Sequence, residues 1–240
     1  MELMVNGFAI DGYCGHEMSI FNKPPAHFNL FCSKQPQDIR VMRPLLLIDR
    51  NLWAVYVLRD PRDVAVSIHP SKPEIYWANL RLWKEYQQYA RKAMDHPRFL
   101  TAKYEDLVRK GDRVQEQLEA KMPFLVKRSN FSEFHKTARP SQRSQVALGG
   151  IRALDAKSIG AWRRHKPRLV AQMQLHGSVA EDLIQLGYEP DDLWLKELEG
   201  VQPDNHLSQW PEFLPWLKLK TRRLEEYKNT LRYAIRTILS

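Results

Sequence analysis

Cysteine is almost absent: the 240 residues contain two, Cys14 and Cys32. Two cysteines cannot build a disulfide framework, which excludes a small stapled secreted fold. Long apolar runs are missing as well. No stretch approaches the roughly 20 residues that a bilayer-spanning helix needs, so no membrane span is expected. Met1-Glu2-Leu3-Met4-Val5 has no basic region and no long apolar core. It does not read as a signal peptide, and a cytoplasmic location is expected. The two cysteines and eight histidines never fall at a close ligand spacing such as Cys-x2-Cys or His-x3-His, so no metal is expected. A Gly-x-Ser-x-Gly nucleophile elbow is absent. So are internal repeats and low-complexity tracts.

Acidic residues are scarce in one place. Between Lys127 and Arg168 stand eleven basic residues (Lys127, Arg128, Lys136, Arg139, Arg143, Arg152, Lys157, Arg163, Arg164, Lys166 and Arg168) against two acids, Glu133 and Asp155. The rest of the chain is balanced, with 26 of each sign, so the whole net charge of +9 belongs to this segment. An anionic partner is expected there. The composition is otherwise globular, with 43% hydrophobic and 27% charged residues. A chain of this length suffices for one domain that buries roughly 70% of its unfolded surface.

Residues 1 to about 29 read as irregular, punctuated by Gly7, Gly12, Gly15 and Pro24-Pro25. Asn29 to Cys32 suits a short strand, and Ile39 to Ile48 a short helix interrupted near Pro44. Leu52 to Leu58 is a near-continuous β-rich apolar run, the pattern of a strand buried on both faces in a parallel sheet. Tyr76 to about Met94 has helical spacing. Arg98 to Tyr104 reads as a strand, and Glu105 to Met122 as a helix with Asp112 as a second cap. Lys166 to Leu186 reads as a helix closed by Gly187. Trp216 to Leu239 reads as a long charged helix, with Leu217, Leu224, Tyr227, Leu231, Ala234 and Ile238 forming a stripe that must cover something. Strand, loop, helix, strand, helix is the order of an α/β parallel sheet flanked by helices. Ligands of such folds bind beyond the carboxyl ends of the strands, where Arg59 and Tyr104 fall.

Val57-Leu58-Arg59-Asp60-Pro61-Arg62-Asp63-Val64-Ala65-Val66-Ser67 concentrates the candidate chemistry. A strand delivers Arg59, whose planar fork matches a phosphate bidentately. Pro61 suits a first helical turn, Ser67 falls in the second, and helix starts favour anions. Spacing alone leaves a second reading open: a charged turn in which Arg–Asp pairs merely cap a helix.

The segment resembles the 3′-phosphate motif of sulfotransferases that use 3′-phosphoadenosine 5′-phosphosulfate. That family has a strand-end Arg, then Asp-Pro-Arg-Asp, and a Ser eight positions after the Arg, as Arg59 and Ser67 are here. Further matches follow in the family's order. Tyr104-Glu105-Asp106-Leu107 is similar to its strand-end Tyr-Glu-Asp-Leu. Ser158-Ile159-Gly160-Ala161-Trp162-Arg163 is similar to its Gly-x-Trp segment. Leu186-Gly187-Tyr188 is similar to its usual end of domain. The resemblance covers roughly residues 31–190. It implies a nucleotide-hydrolase-like α/β domain over residues 1–192 and a helical extension over 193–240. It also implies Arg59 and Ser67 on the 3′-phosphate, Tyr104 near the adenine, and Lys157, Trp162 and Arg163 closing over the nucleotide.

Three departures accompany it. No Gly/Ser/Thr-rich loop for the 5′-phosphosulfate is present, since Gly12-Tyr13-Cys14-Gly15 is too short, so the fold is expected to be incomplete at its N-terminal side. Lys34 lies where the family has a Lys before its catalytic His, but Gln35 and Pro36 follow. Lys34 remains the expected contact to the sulfuryl oxygens; His16, Glu17 and His27 are the nearby base candidates. The family's Arg-Lys-Gly is reduced to Lys157. Three readings stay open: a sulfotransferase acting on a hydroxyl or amine of a small-molecule or saccharide acceptor; a related chain that binds nucleotide phosphate without turnover; and a nucleic-acid binder, which lacks any helix-turn-helix, zinc or RNP-like pattern. The C-terminal helix could join two copies into a homodimer.

Overall fold

The computed structural model describes residues 1–13, 17–24, 26–140, 144–146 and 150–239. Cys14, Gly15, His16, Pro25 and Arg143, singled out in the sequence, lie outside the described residues. The helices used below are α1 (Glu2–Gly7), α2 (Ile39–Ile48), α3 (Pro61–Ala65), α4 (Leu80–Ala93), α5 (Tyr104–Arg109), α6 (Gly111–Lys121) and α7 (Phe134–Thr137). They continue with α8 (Lys166–His176), α9 (Ala180–Gln185) and α10 (Trp216–Leu239). The strands are β1 (Gly12–Tyr13), β2 (Phe31–Cys32), β3 (Ala54–Leu58), β4 (Ile68–His69), β5 (Lys72–Tyr76) and β6 (Phe99–Lys103).

The protein is α/β, but its strands are dispersed. Among the described residues they form three two-stranded ladders: β1 with β2, β3 with β6, and β4 with β5. The first is parallel and the last antiparallel. The single parallel sheet expected from residues 52–58 is therefore replaced by small ladders. β3 is not buried on both faces either: Leu58 is buried, whereas Val57 is 49% exposed. An unbroken apolar run does not reveal how many neighbours a strand has.

Two compact units are interleaved along the chain. One comprises Met1–Val57, Gln88–Ala156 and Pro215–Ser240; the other comprises Leu58–Gln87 and Lys157–Leu214. The expected division into residues 1–192 and 193–240 was sequential. In the structure, residues 193–214 belong with the second unit and α10 with the first.

In the first unit Phe8, Leu118, Met122 and Phe131 form a core. The Phe8 and Phe131 rings meet edge to face at 5.6 Å. Gly7 is required there, because a Cβ would fall 2.5 Å from the Phe131 ring. Buried Gln115 links the layers: its Oε1 accepts from the Phe131 amide at 2.9 Å and its Nε2 donates to the Ser129 carbonyl at 2.8 Å. The expected helix over 105–122 divides at Lys110. Asp112 does not cap the second half; it accepts from the amide and hydroxyl of Ser132 at 2.8 and 2.7 Å. α2 runs through Pro44 rather than stopping, at the cost of the one hydrogen bond a proline cannot donate. Arg98 closes its C-terminal end by donating to the carbonyls of Leu46 at 2.6 Å and Leu52 at 3.0 Å. α1 occupies part of the stretch read as irregular.

In the second unit Ala65, Val66, Leu80, Trp162, Leu169, Val179, Leu183 and Trp194 form the core. α4 starts at Leu80, not Tyr76, because Tyr76 is held in β-type bonds. Its amide donates to the Leu207 carbonyl at 3.1 Å, and its own carbonyl accepts from Gln209 at 2.8 Å. Asn79 then caps the helix, its Oδ1 accepting from the Leu82 amide at 3.0 Å. The helix expected over 166–186 breaks into α8 and α9 at Gly177, whose φ of 80° few other residues adopt. Gly187 follows α9 at φ 65°, as a C-cap glycine should.

Candidate functional site

The second unit contains five of the seven residues singled out for binding or catalysis. The turn after β3 builds the site. Asp60 is the N-cap of α3, accepting from the Arg62 amide at 2.8 Å, and Pro61 occupies the first turn. Ser67 lies past the end of this short helix, not in its second turn. Its hydroxyl donates to the Val64 carbonyl at 2.9 Å.

The two motifs, nearly a hundred residues apart in sequence, meet in this unit. Arg59 Nη2 donates to the Ser158 carbonyl at 3.2 Å. The Asp63 carboxylate accepts from the amides of Gly160 at 2.8 Å and Trp162 at 3.1 Å. Gly160 sits at φ 72°, a left-handed turn that aims those amides at one acceptor. Asp63 is 1% exposed. Burial pushes its carboxyl up, and the two amides only partly offset this. The Arg59 carbonyl in turn accepts from Trp83 Nε1 at 3.2 Å.

Arg62 is the interior cation of the site. It pairs with Asp60 and with Glu189, both at 2.7 Å, and its guanidinium lies 4.7 Å from the ring centres of both Trp162 and Trp194. Burial alone would lower this group, but Asp60 and Glu189 outweigh it and raise it. Asp60, paired with Arg62, caps α3, as the charged-turn reading has it, while Arg59 takes up a separate contact with the Ser158 carbonyl.

Trp162 is fully buried and packs edge to face on Trp194 at 5.8 Å. Arg163 stacks on its outer side at 4.4 Å and directs its fork at Glu197, at 3.2 and 3.1 Å. Lys166 reaches the same carboxylate at 3.4 Å. Burial would raise Glu197, but Arg163 and Lys166 prevail and hold it below the usual range. Lys157 is exposed at the start of the segment.

A second polar cluster lies in the same unit. Arg168, 1% exposed, pairs with Glu212 at 3.3 Å, donates to Ser208 Oγ, and lies 4.9 Å from the Tyr76 ring centre. His176 Nε2 stands 2.8 Å from the other Glu212 oxygen. The basic excess read between Lys127 and Arg168 is therefore partly answered by acids from later in the chain, Glu197 and Glu212. Composition could not reveal that.

Lys34 and Tyr104 belong to the first unit. Lys34 pairs with Glu17 at 2.5 Å. Tyr104 is half-buried and opens α5 directly after β6. His27 is exposed in a shallow recess of about 430 Å³ with Asp11, Ala26, Phe28 and Asn29. His16 lies outside the described residues. No group of three or more His, Cys, Asp or Glu among the described residues could hold a metal ion.

Asp63, Arg62, Glu189 and Trp194 had no assigned role in the sequence. The repeated Asp around Arg62 was the available signal: acids inside a supposed anion site need partners of their own. Compared with protein-family models, curated proteins and solved structures, the chain matches none.

Proposed function

We propose that this chain binds the 3′-phosphate of 3′-phosphoadenosine 5′-phosphosulfate and transfers its sulfuryl group to a hydroxyl or amine. The observation that carries this reading is the junction of Arg59 and Asp63 with Ser158, Gly160 and Trp162. These are the two segments that resemble a sulfotransferase phosphate motif and its closing Gly-x-Trp loop. A fold of the sulfotransferase kind is part of the proposal.

In this reading Arg59 and Ser67 hold the 3′-phosphate, with Lys157 and Arg163 adding charge at the rim. A guanidinium carries its donors in a planar fork, the geometry that meets a phosphate bidentately. To hold the phosphate, Ser67 exchanges its hydroxyl bond to the Val64 carbonyl for one donated to a phosphate oxygen. Trp162 is the buried anchor that positions Arg163. Transfer is an in-line displacement. The acceptor oxygen or nitrogen bonds to sulfur, the bond from sulfur to the bridging oxygen breaks, and the acceptor's proton goes to a base. Charge on the sulfuryl and leaving oxygens needs a cation.

One observation favours a second reading, binding without turnover: Lys34 is ion-paired with Glu17. Calorimetry with adenosine 3′,5′-bisphosphate and with adenosine 5′-monophosphate tests the shared part. The bisphosphate should bind more tightly, and Arg59→Ala should remove that preference. Loss of a charged hydrogen bond costs about 1.5–3 kcal/mol, roughly a tenfold to hundredfold loss of affinity. Equal affinity for both nucleotides, or no effect of the substitution, overturns the assignment. Transfer of labelled sulfuryl to acceptor hydroxyls or amines then separates the two readings.

A further inference from the structure

α10 turns its polar side inward. Tyr233 is buried with Val41 and Leu45, and its hydroxyl donates to Asp49 at 2.5 Å. Glu226 faces Arg40 at 3.8 Å and Arg222 at 3.5 Å, with Arg222 and Glu226 partly shielded from solvent and the Arg40 side chain largely so. The apolar stripe faces away. Leu217, Leu224, Leu231 and Ile238 recur every seven residues, and each is more than half exposed. Trp216, Tyr227 and Ile235 widen the stripe and are exposed too. An amphipathic helix placed this way leaves its hydrophobic face uncovered.

The charges beside the stripe indicate the occupant. Lys218, Lys220, Arg223, Lys228, Arg232 and Arg236 are exposed, and Glu225 is the exposed acid among them. The outward side therefore carries a net +5 around its apolar row. A second copy would bring +5 against +5, whereas paired helices need opposite charges flanking the seam. No described helix is long and apolar enough to cross a membrane. A helix of this length spans about 36 Å. Basic residues beside exposed Trp, Leu and Ile suit a helix lying in the plane of a bilayer interface.

We propose that the exposed face of α10 binds an anionic phospholipid surface, its leucines and isoleucines entering the acyl boundary and its lysines and arginines meeting the headgroups. The test uses the full chain with sedimenting vesicles of phosphatidylcholine alone, or of phosphatidylcholine with about one third phosphatidylserine. The chain should sediment with the anionic vesicles only, and raising the salt should weaken binding. The double variant Leu224→Glu/Leu231→Glu should lose about tenfold or more, with circular dichroism unchanged because both side chains lie outside the core. If that variant misfolds, Lys220→Glu/Lys228→Glu tests the charges instead and should give the same loss. No binding to anionic vesicles overturns the proposal. So does binding that survives the substitutions, which would come from basic residues elsewhere in the chain. A wild-type dimer in light scattering that the leucine variant converts to monomer would assign the stripe to a second copy, and this also overturns it.

Discussion

The turn after β3 and the helix α10 invert each other. In the turn, charged residues are interior: Arg62, Asp60 and Asp63 are buried and lie with Trp162 and Trp194. In the helix, leucines and isoleucines face water while Arg222, Glu226 and Tyr233 pack inward. Stability in the first region rests on satisfied charges, and in the second on a modest polar contact plus one buried ring. The contrast teaches that residue type does not fix burial; partners do. A charge can be interior where a carboxylate and two indole faces receive it. An apolar stripe can stay outside where the other face of its helix is already held.

The largest test of this contrast is Arg62→Ala. It leaves Asp60 and Glu189 without their cation and opens the space beside the two indoles. Breaking a buried ion pair by removing one partner costs about 3–5 kcal/mol. Urea unfolding of the full chain should show a loss of that size. A loss below about 1 kcal/mol would place Arg62 with ordinary surface ion pairs and erase the distinction between the two regions.

A smaller effect, with a pH signature, is expected at Glu212. Burial alone would raise its carboxyl, but Ser208, His176 and Gln172, with Arg168, hold it below the usual range. The folded state therefore releases this proton more readily than the unfolded chain. The stability it contributes is fully present above the unfolded value, near 4.5, and is lost as pH falls through the lower folded value. Glu212→Gln should cost about 1.5–3 kcal/mol near neutral pH and progressively less on acidification. Unfolding midpoints of the two proteins should converge as the pH is lowered; a constant gap would show that Glu212 acts by shape alone. Asp63 has the opposite sign. Its carboxyl is raised, so its ionisation opposes folding as pH rises. Amides can bond either form of the acid, so the Gly160–Trp162 junction should persist in acid.

Local rules were legible in the sequence and long-range pairing was not. Pro61 at the start of α3, the strand over 99–103, Gly187 after α9 and the bounds of α10 follow from propensity, capping and period. The β4–β5 hairpin did not show, because Pro70 and Pro73 break any alternation and Tyr76 takes its partners from residues 207 and 209. The two motifs mark Arg59 and Trp162 in the sequence. They do not mark Asp63 as the clamp, since a carboxylate receiving two amides is a property of the folded loop. The +9 segment likewise depends on Glu197 and Glu212, which close on it only in the fold.

The smallest expected effect is at Leu224 and Leu231. A buried leucine replaced by a polar residue would cost several kcal/mol, and the heptad pattern alone suggests such burial. In the structure both residues point away from α2 and touch no core. Glutamine has nearly the helix propensity of leucine, so the helix itself should not suffer. Leu224→Gln and Leu231→Gln should therefore each stay within about 0.5 kcal/mol of the parent in urea unfolding of the isolated chain. A loss of 2 kcal/mol or more at either site would mean that the apolar stripe, rather than Tyr233 and its polar neighbours, holds α10 in place. The proposed lipid face would then have to be withdrawn as well, because both conclusions depend on the same exposed residues.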